Sequence, residues 1–364
     1  MEDSTAPLLD KEEVHHIALW MPNWIGDVVF VLPTLQSLRR RYPNARITAI
    51  ARTPSDELLS SCRDLDTIIQ FPRNRGDGYI KQFNYAYGLR KYRFDLGIVF
   101  PNSIHSAMML MFTGARFRIG YSICGRRIFL THALPVTKKE KKTSYRVGYF
   151  HKITSPLNLG LVPDRYDPKW RRKSKLKLED TLLKAGVDKT DFLVIVHPGT
   201  SKPERAWHIE RFSILCQKLI KEYGMKIILL GSSKESQMLE NIRKLCSAEK
   251  VTIACELNLQ EIVQLLEGSR LFIGNDSGMM HLASLVGTPI VGIFGPGHPA
   301  TTGPFLVAKK KEIVTQNYSC SPCSQRFFKE CKPSHHYKPY CLEDISVKCV
   351  SGAVERIVKR LELS

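Results

Sequence analysis

Phe272-Ile-Gly-Asn-Asp-Ser-Gly278-Met-Met-His281-Leu-Ala-Ser-Leu-Val-Gly287-Thr-Pro-Ile-Val-Gly-Ile-Phe-Gly295-Pro296 decides how this chain folds. An apolar strand enters a short polar turn, the turn opens a helix, and a second apolar strand runs into a Gly-Pro loop. Asp276, Ser277 and Gly278 therefore stand where the carboxyl end of a strand meets a helix N-terminus. Unpaired amide N–H groups and the positive end of the helix dipole make such a junction an anion site. The segment predicts a strand–helix–strand unit that holds a phosphorylated ligand.

Working outward, the same rhythm recurs on both sides. Ile17–Met21, Arg46–Arg52, Thr67–Phe71 and Phe94–Phe100 read as strands, with helices at Val28–Arg41 and near Tyr79–Tyr92 and Ile104–Thr113. A polar, Pro- and Lys-rich stretch near Val162–Lys177 interrupts the pattern and reads as a linker. Strands then resume at Phe192–His197, Met225–Gly231, Val251–Ala254, Leu271–Gly274 and Pro289–Phe294. Helices near His208–Tyr223, Glu235–Cys246 and Leu259–Glu267 separate them, and Ile345–Leu361 closes the chain. Short apolar strands alternating with amphipathic helices predict parallel sheets covered on both faces. The expected fold class is α/β, with two doubly wound, Rossmann-like domains facing a central cleft. The expected boundaries are 1–165, a linker at 166–185, a second domain at 186–344 with a Cys-rich loop at 320–341, and a C-terminal helix at 345–364.

Composition narrows the function classes. A chain of 364 residues with 43% apolar and 24% charged residues suits two globular domains. No stretch is long and apolar enough to span a bilayer. The start, Met1-Glu-Asp-Ser-Thr-Ala-Pro-Leu-Leu-Asp-Lys-Glu-Glu13, is acidic and does not read as a secretory signal, so a cytoplasmic location is expected. Of the net +19, residues 1–175 contribute +14, from 29 Lys/Arg against 15 Asp/Glu. That asymmetry favours a polyanionic partner. No nucleic-acid-binding motif accompanies it, so an anionic membrane surface is expected and nucleic acid is not. Neither half carries a Gly-x-Gly-x-x-Gly dinucleotide fingerprint or a Gly-x-x-x-x-Gly-Lys-Ser/Thr loop, which disfavours dehydrogenases and P-loop enzymes.

Three loops at strand ends carry polar chemistry. In Pro22-Asn-Trp-Ile-Gly-Asp27, the carboxylate either caps the first helix or serves as a general base at the mouth of the cleft. His197-Pro-Gly-Thr-Ser201, followed by Glu204-Arg-Ala-Trp207, combines small residues that admit a phosphate with an arginine able to grip it in bidentate fashion. The third loop is the opening segment, where His281 lies one helical turn past Ser277. A single helical histidine reads equally as a structural hydrogen-bonding residue.

Asn23-Trp-Ile-Gly-Asp27, Asn102-Ser-Ile-His-Ser106, Arg118-Ile-Gly-Tyr121, His197-Pro-Gly-Thr200 with Arg205-Ala-Trp207, Gly231-Ser-Ser233 and Gly274-Asn-Asp-Ser-Gly278 with His281 occur in this order. In these motifs the chain resembles the heptosyltransferases of glycosyltransferase family nine, and among them the lipopolysaccharide heptosyltransferase II branch, over residues 16–360. The resemblance implies the two-domain GT-B fold and an inverting transfer that needs no metal or other cofactor. The implied donor is ADP-L-glycero-D-manno-heptose, and the implied acceptor is a heptose-Kdo-lipid A core at the inner membrane. On the matching positions, Asp27 is the implied catalytic base. Thr200, Ser201, Arg205, Asp276, Ser277 and Gly278 surround the donor diphosphate, Glu235 meets the nucleotide ribose, and His281 is a motif residue without a derived role. Other nucleotide-sugar donors or acceptors, and a non-catalytic binding protein, remain alternatives on the same fold.

Five of ten cysteines are bunched near the C-terminus. Cys320, Cys323, Cys331 and Cys341, with His335 and His336 among them, form a candidate structural zinc site by spacing. Reduced thiols in a loop and a redox pair are the competing readings.

Overall fold

The computed structural model describes residues 9–72, 78–160, 176–188, 190–246, 250–305, 310–316, 318–321, 323 and 325–362. The chain divides into two compact units, Met1–Arg172 and Lys173–Ser364. The first unit holds a six-stranded sheet of β1 (His16–Trp20), β2 (Arg46–Ala51), β3 (Thr67–Gln70), β4 (Leu96–Val99), β5 (Phe117–Tyr121) and β6 (His132–Leu134), ordered β3-β2-β1-β4-β5-β6. The second holds β7 (Leu193–His197), β8 (Lys226–Leu230), β9 (Val251–Ala254), β10 (Leu271–Asn275), β11 (Ile290–Phe294) and β12 (Lys311–Thr315), ordered β12-β11-β10-β7-β8-β9. Every adjacent pair is parallel. Renumbered within its own unit, each sheet runs 3-2-1-4-5-6, the doubly wound order in which ligands collect where the winding reverses. That switch point lies between β1 and β4 in the first unit and between β7 and β10 in the second.

The central strands β1, β4, β7 and β10 are almost wholly buried because helices cover both faces of each sheet. In the second unit Val194, Val196, Leu229, Ile273 and Val291 pack into one core with Phe212, Leu215 and Leu219 of the helix Ile209–Tyr223. Val350, Val354 and Ile357 of the helix Val347–Glu362 join that core, so the C-terminal helix belongs to the second unit's packing. The first unit's core gathers Ala18, Trp20, Ile50 and Val99 with Leu110 and Met109 of the helix Ile104–Phe112.

Three strands exceed the sequence expectation. β5, β6 and β12 lie toward or at sheet edges, where burial is partial and the apolar signal is weak: all three residues of β6 are half-buried, and four of five in β12. The expected linker at 166–185 falls outside the described residues as far as 175. Its remainder is not linker but the helix Leu176–Lys184, which packs on β9 and on the helix Leu259–Glu267. Its amphipathic spacing was masked by the surrounding lysines. Among the described residues no helix is long and apolar enough to cross a membrane.

Candidate donor and base sites

In the second unit the loops after β7, β8, β10 and β11 meet at the switch point. Asn275 ends β10 fully buried. Its amide donates to the Pro198 carbonyl at 2.7 Å, and its side-chain oxygen accepts from the Trp207 N–H at 3.0 Å. One side chain thus fixes the whole β7 loop, and Trp207 in turn donates from its indole to the Ile345 carbonyl at 2.8 Å. Replacing Asn275 by Ala strands both backbone groups out of water. The expected loss is about 2–6 kcal/mol, at roughly 1–3 kcal/mol for each of the two orphaned groups, read as a lower urea midpoint at unchanged slope.

Arg205 stands on the 3₁₀ turn Pro203–Arg205. Its guanidinium donates to the Asp276 carboxylate at 2.6 Å and to the Asp276 carbonyl at 3.0 Å. Its Nε is buried without a hydrogen-bond partner. The Asp276 carboxyl is pushed above its usual range by burial, against the pull of Arg205. A Cβ on Gly297 would lie 2.3 Å from that carboxylate, so the β11 loop passes closer to Asp276 than any larger residue permits. Asp276 thus aims Arg205, while the guanidinium keeps an unused donor.

The helix Gly278–Leu285 begins one residue after Ser277, whose side chain makes no cap to its amides. The Ser277 hydroxyl instead lies 3.3 Å from Nδ1 of His197 at the end of β7. Burial drives His197 down to about 4 and His281 down to about 3, with Arg205 adding to the effect on His281. Both imidazoles are therefore neutral near pH 7. His281 lies buried with Nε2 3.9 Å from Asp276. Thr200 is engaged within its loop, its hydroxyl accepting from the Lys202 N–H at 3.2 Å and donating to the Lys202 carbonyl at 2.5 Å. Ser201 is exposed and Gly278 half-buried at the helix start.

Glu235 closes the β8 loop. One carboxylate oxygen accepts from the N–H and hydroxyl of Ser232, both at 2.7 Å. The other reaches toward Gly199, where a Cβ would sit 2.0 Å from it. Glu235 and the β7 loop are thereby adjacent, as an acidic residue on the second strand's loop must be to meet a ribose beside the phosphates.

In the first unit Asp27 lies in the first turn of the helix Ile25–Arg41, whose N-cap is Trp24. It is not the capping residue. Burial raises its carboxyl above the usual range and the nearby Arg146 partly offsets this. Asn102 donates to the Tyr149 hydroxyl at 2.8 Å, and the Arg146 guanidinium stacks over the Tyr149 ring at 5.3 Å. Arg146, Tyr149, His197 and Asn275 escaped the sequence reading as site residues. Only tertiary proximity reveals the first two, whereas His197 and Asn275 sat inside motifs already singled out.

Three of the candidate zinc thiols precede the helix Tyr340–Glu343, which carries the fourth, Cys341. Cys320 and Cys331 are exposed, and Cys323 and Cys341 are half-buried. Burial and the neighbouring thiols of Cys323, Cys320 and Cys331 push Cys341 up to about 12, the mutual effect of thiols gathered near one another. Among the described residues the group of ligand atoms near enough to share an ion is His208, His336 and Glu343.

The family model described as glycosyltransferase family 9 (heptosyltransferase) matches residues 83–332. The chain belongs to glycosyltransferase family 9. It is similar to lipopolysaccharide heptosyltransferase 2 of Escherichia coli, 26% identical over 295 residues that cover 78% of this chain and 83% of that one. It is equally similar to lipooligosaccharide heptosyltransferase 2 of Haemophilus influenzae, 26% identical over 300 residues, 78% of this chain and 84% of that one. Among solved structures, E. coli ADP-heptose LPS heptosyltransferase II superposes with a TM-score of 0.77 at 21% identity, covering 95% of this chain and 99% of that one. That likeness extends the shared fold across nearly the whole family-9 chain and agrees with two Rossmann-like units of the GT-B class. Membership makes this chain a glycosyltransferase, so the polar loops above are its candidate donor and base sites.

Proposed function

We propose that the chain transfers L-glycero-D-manno-heptose from ADP-heptose, with inversion, to the heptose-Kdo-lipid A inner core of lipopolysaccharide. The observation that carries the reading is the buried, unpartnered Nε of Arg205 beside the uncapped N-terminus of the helix Gly278–Leu285. Both supply fixed positive potential at a doubly wound switch point, where a diphosphate would otherwise be hard to desolvate. The names of the curated relatives support heptose as the sugar and lipopolysaccharide as the acceptor.

The two units take separate tasks. In the second, Arg205, Ser277 and the amides at Gly278 receive the diphosphate, with Thr200 and Ser201 on the neighbouring loop and Glu235 accepting a ribose hydroxyl. Asp276 acts through Arg205, since its own charge would repel a phosphate. His281, neutral and buried, packs behind this pair as a positioning residue. In the first unit Asp27 removes the acceptor hydroxyl proton while that oxygen attacks the anomeric carbon. The bond from that carbon to the diphosphate breaks, and ADP leaves with the electron pair. Charge developing on the diphosphate meets Arg205 and the helix N-terminus, so this scheme asks for no cofactor. The basic excess of the first 175 residues suits a peripheral place on an anionic inner-membrane surface, from the cytoplasmic side.

The test is transfer from ADP-heptose, UDP-sugars and GDP-sugars to Kdo-lipid A with and without its first heptose. Transfer from ADP-heptose to the heptosylated acceptor alone is the expected result. Equal transfer to the unheptosylated acceptor would reject the assignment to the second heptose.

A further inference from the structure

Outside the donor loops, one cluster in the second unit combines metal-ligating side chains with an unsatisfied buried atom. His208 immediately precedes the helix Ile209–Tyr223, three residues after Arg205. His336 sits on a tight turn of the Cys-rich segment, closed by an antiparallel bridge between Pro333 and Pro339 and by the Ser334 N–H donating to the Lys338 carbonyl at 2.8 Å. Glu343 ends the short helix Tyr340–Glu343. Nε2 of His208 lies 3.2 Å from one Glu343 carboxylate oxygen, and Nδ1 of His336 lies 3.2 Å from the other. One ligand atom from each residue can be chosen so that all three lie within 4.8 Å of one another.

The His208 side chain is 8% exposed, yet its Nε2 makes no hydrogen bond. Its approach to Glu343 is an ion-pair contact without hydrogen-bond geometry, whereas His336 hydrogen-bonds the other oxygen, so the His208 nitrogen is the one left for a ligand. Ligands about 2.1 Å from a tetrahedral zinc ion stand about 3.4 Å apart, and each imidazole nitrogen lies 3.2 Å from its own oxygen of the carboxylate. The carboxylate is already oriented: Arg211 donates to it at 2.8 Å and Ser334 at 2.7 Å. Such outer contacts characterise metal ligands held in place. Two imidazoles with one carboxylate suit a borderline divalent ion.

We propose that His208, His336 and Glu343 bind a transition-metal ion, zinc by donor type, with a fourth position open, and that this site rather than the four cysteines holds it. The ion ties the Cys-rich segment to the chain just beyond Arg205. Lys338 reinforces the same junction by donating to the Pro203 carbonyl at 2.8 Å. Metal occupancy therefore steadies the turn that carries Arg205.

The experiment strips the full-length protein of metal, dialyses it against zinc, and measures ions per chain by elemental analysis. Wild type, His336→Ala and Cys320→Ser/Cys323→Ser are compared, with cobalt substitution read by absorption. His336 is 67% exposed at its side chain, so its replacement leaves the core untouched. The expected result is one ion in wild type and in the cysteine variant, and an affinity loss of more than about 100-fold in His336→Ala, beyond the 10–100-fold typical of outer contacts. Cobalt should show no sulfur-to-metal charge-transfer band. No bound ion in wild type, an ion retained by His336→Ala, or an ion lost with the cysteines would each overturn the proposal.

Discussion

Asp27→Asn should lower transfer by about 10²–10⁴-fold, the contribution typical of a positioned general base, while ADP binds as tightly as to wild type. Asp27 has no hydrogen bond among the described residues, and its carboxyl is raised by burial. A base with a raised pKa is a stronger proton acceptor once ionised, so desolvation there serves the proposed chemistry. The sign of the pH dependence follows. The base must be deprotonated, so turnover falls as pH drops through a value above the ordinary carboxylate range. In Asp27→Asn that acid limb should vanish from the residual activity. Single-turnover rates with pre-bound donor across pH 4–8, beside ADP titration calorimetry, separate chemistry from binding. Wild-type turnover in the variant would sink the assignment.

Arg205→Ala should have the largest combined effect. On the proposed scheme, removing the guanidinium takes away a donor to the departing diphosphate, which should cost about 10²–10³-fold in rate and weaken ADP binding. It also leaves Asp276 as an uncompensated buried carboxylate, at about 3 kcal/mol of stability. Folded-state burial already raises the Asp276 pKa, and loss of Arg205 raises it further. A raised acid binds its proton more tightly when folded, so this group stabilises at low pH and loses that contribution as pH rises through the folded pKa. The deficit of Arg205→Ala against wild type should therefore narrow as pH falls toward 4. Denaturant unfolding at pH 8 and pH 5 measures it, and an equal deficit at both would contradict the ion-pair account. Asp276→Asn should be milder, because its carbonyl still accepts from Arg205. Arg205→Lys should recover little of the lost activity, since an ammonium cannot hold Asp276 while presenting a second planar donor.

Most of the fold was legible because buried parallel strands are apolar throughout and their helices are amphipathic. β7, β8, β10 and β11 fall within a residue or two of the expected bounds. The helix Leu259–Glu267 coincides with its expectation, helped by the Asn258–Glu261 capping box. Edge strands were the weak point: β6 and β12 face solvent enough to carry polar residues. Metal ligands pose a different problem. Cys-x-x-Cys spacing is a local feature, but coordination is a matter of where distant side chains converge. Only folding shows that His208, far from the cysteines in sequence, lies against Glu343.

The sequence by itself determined that two doubly wound units exist, that Asn275-Asp-Ser-Gly278 lies at a strand-to-helix junction, and that the motifs are those of family 9. Periodicity and turn chemistry are local, and a local reading recovers them. The tertiary structure alone decided what each charged group does. Asp276 lies in the turn expected to bind an anion, yet its carboxylate is spent on Arg205. Asp27 occupies a capping-like position, yet it caps nothing. Both outcomes turn on desolvation and on partners distant in sequence, and neither quantity is written in the spacing of residues along the chain.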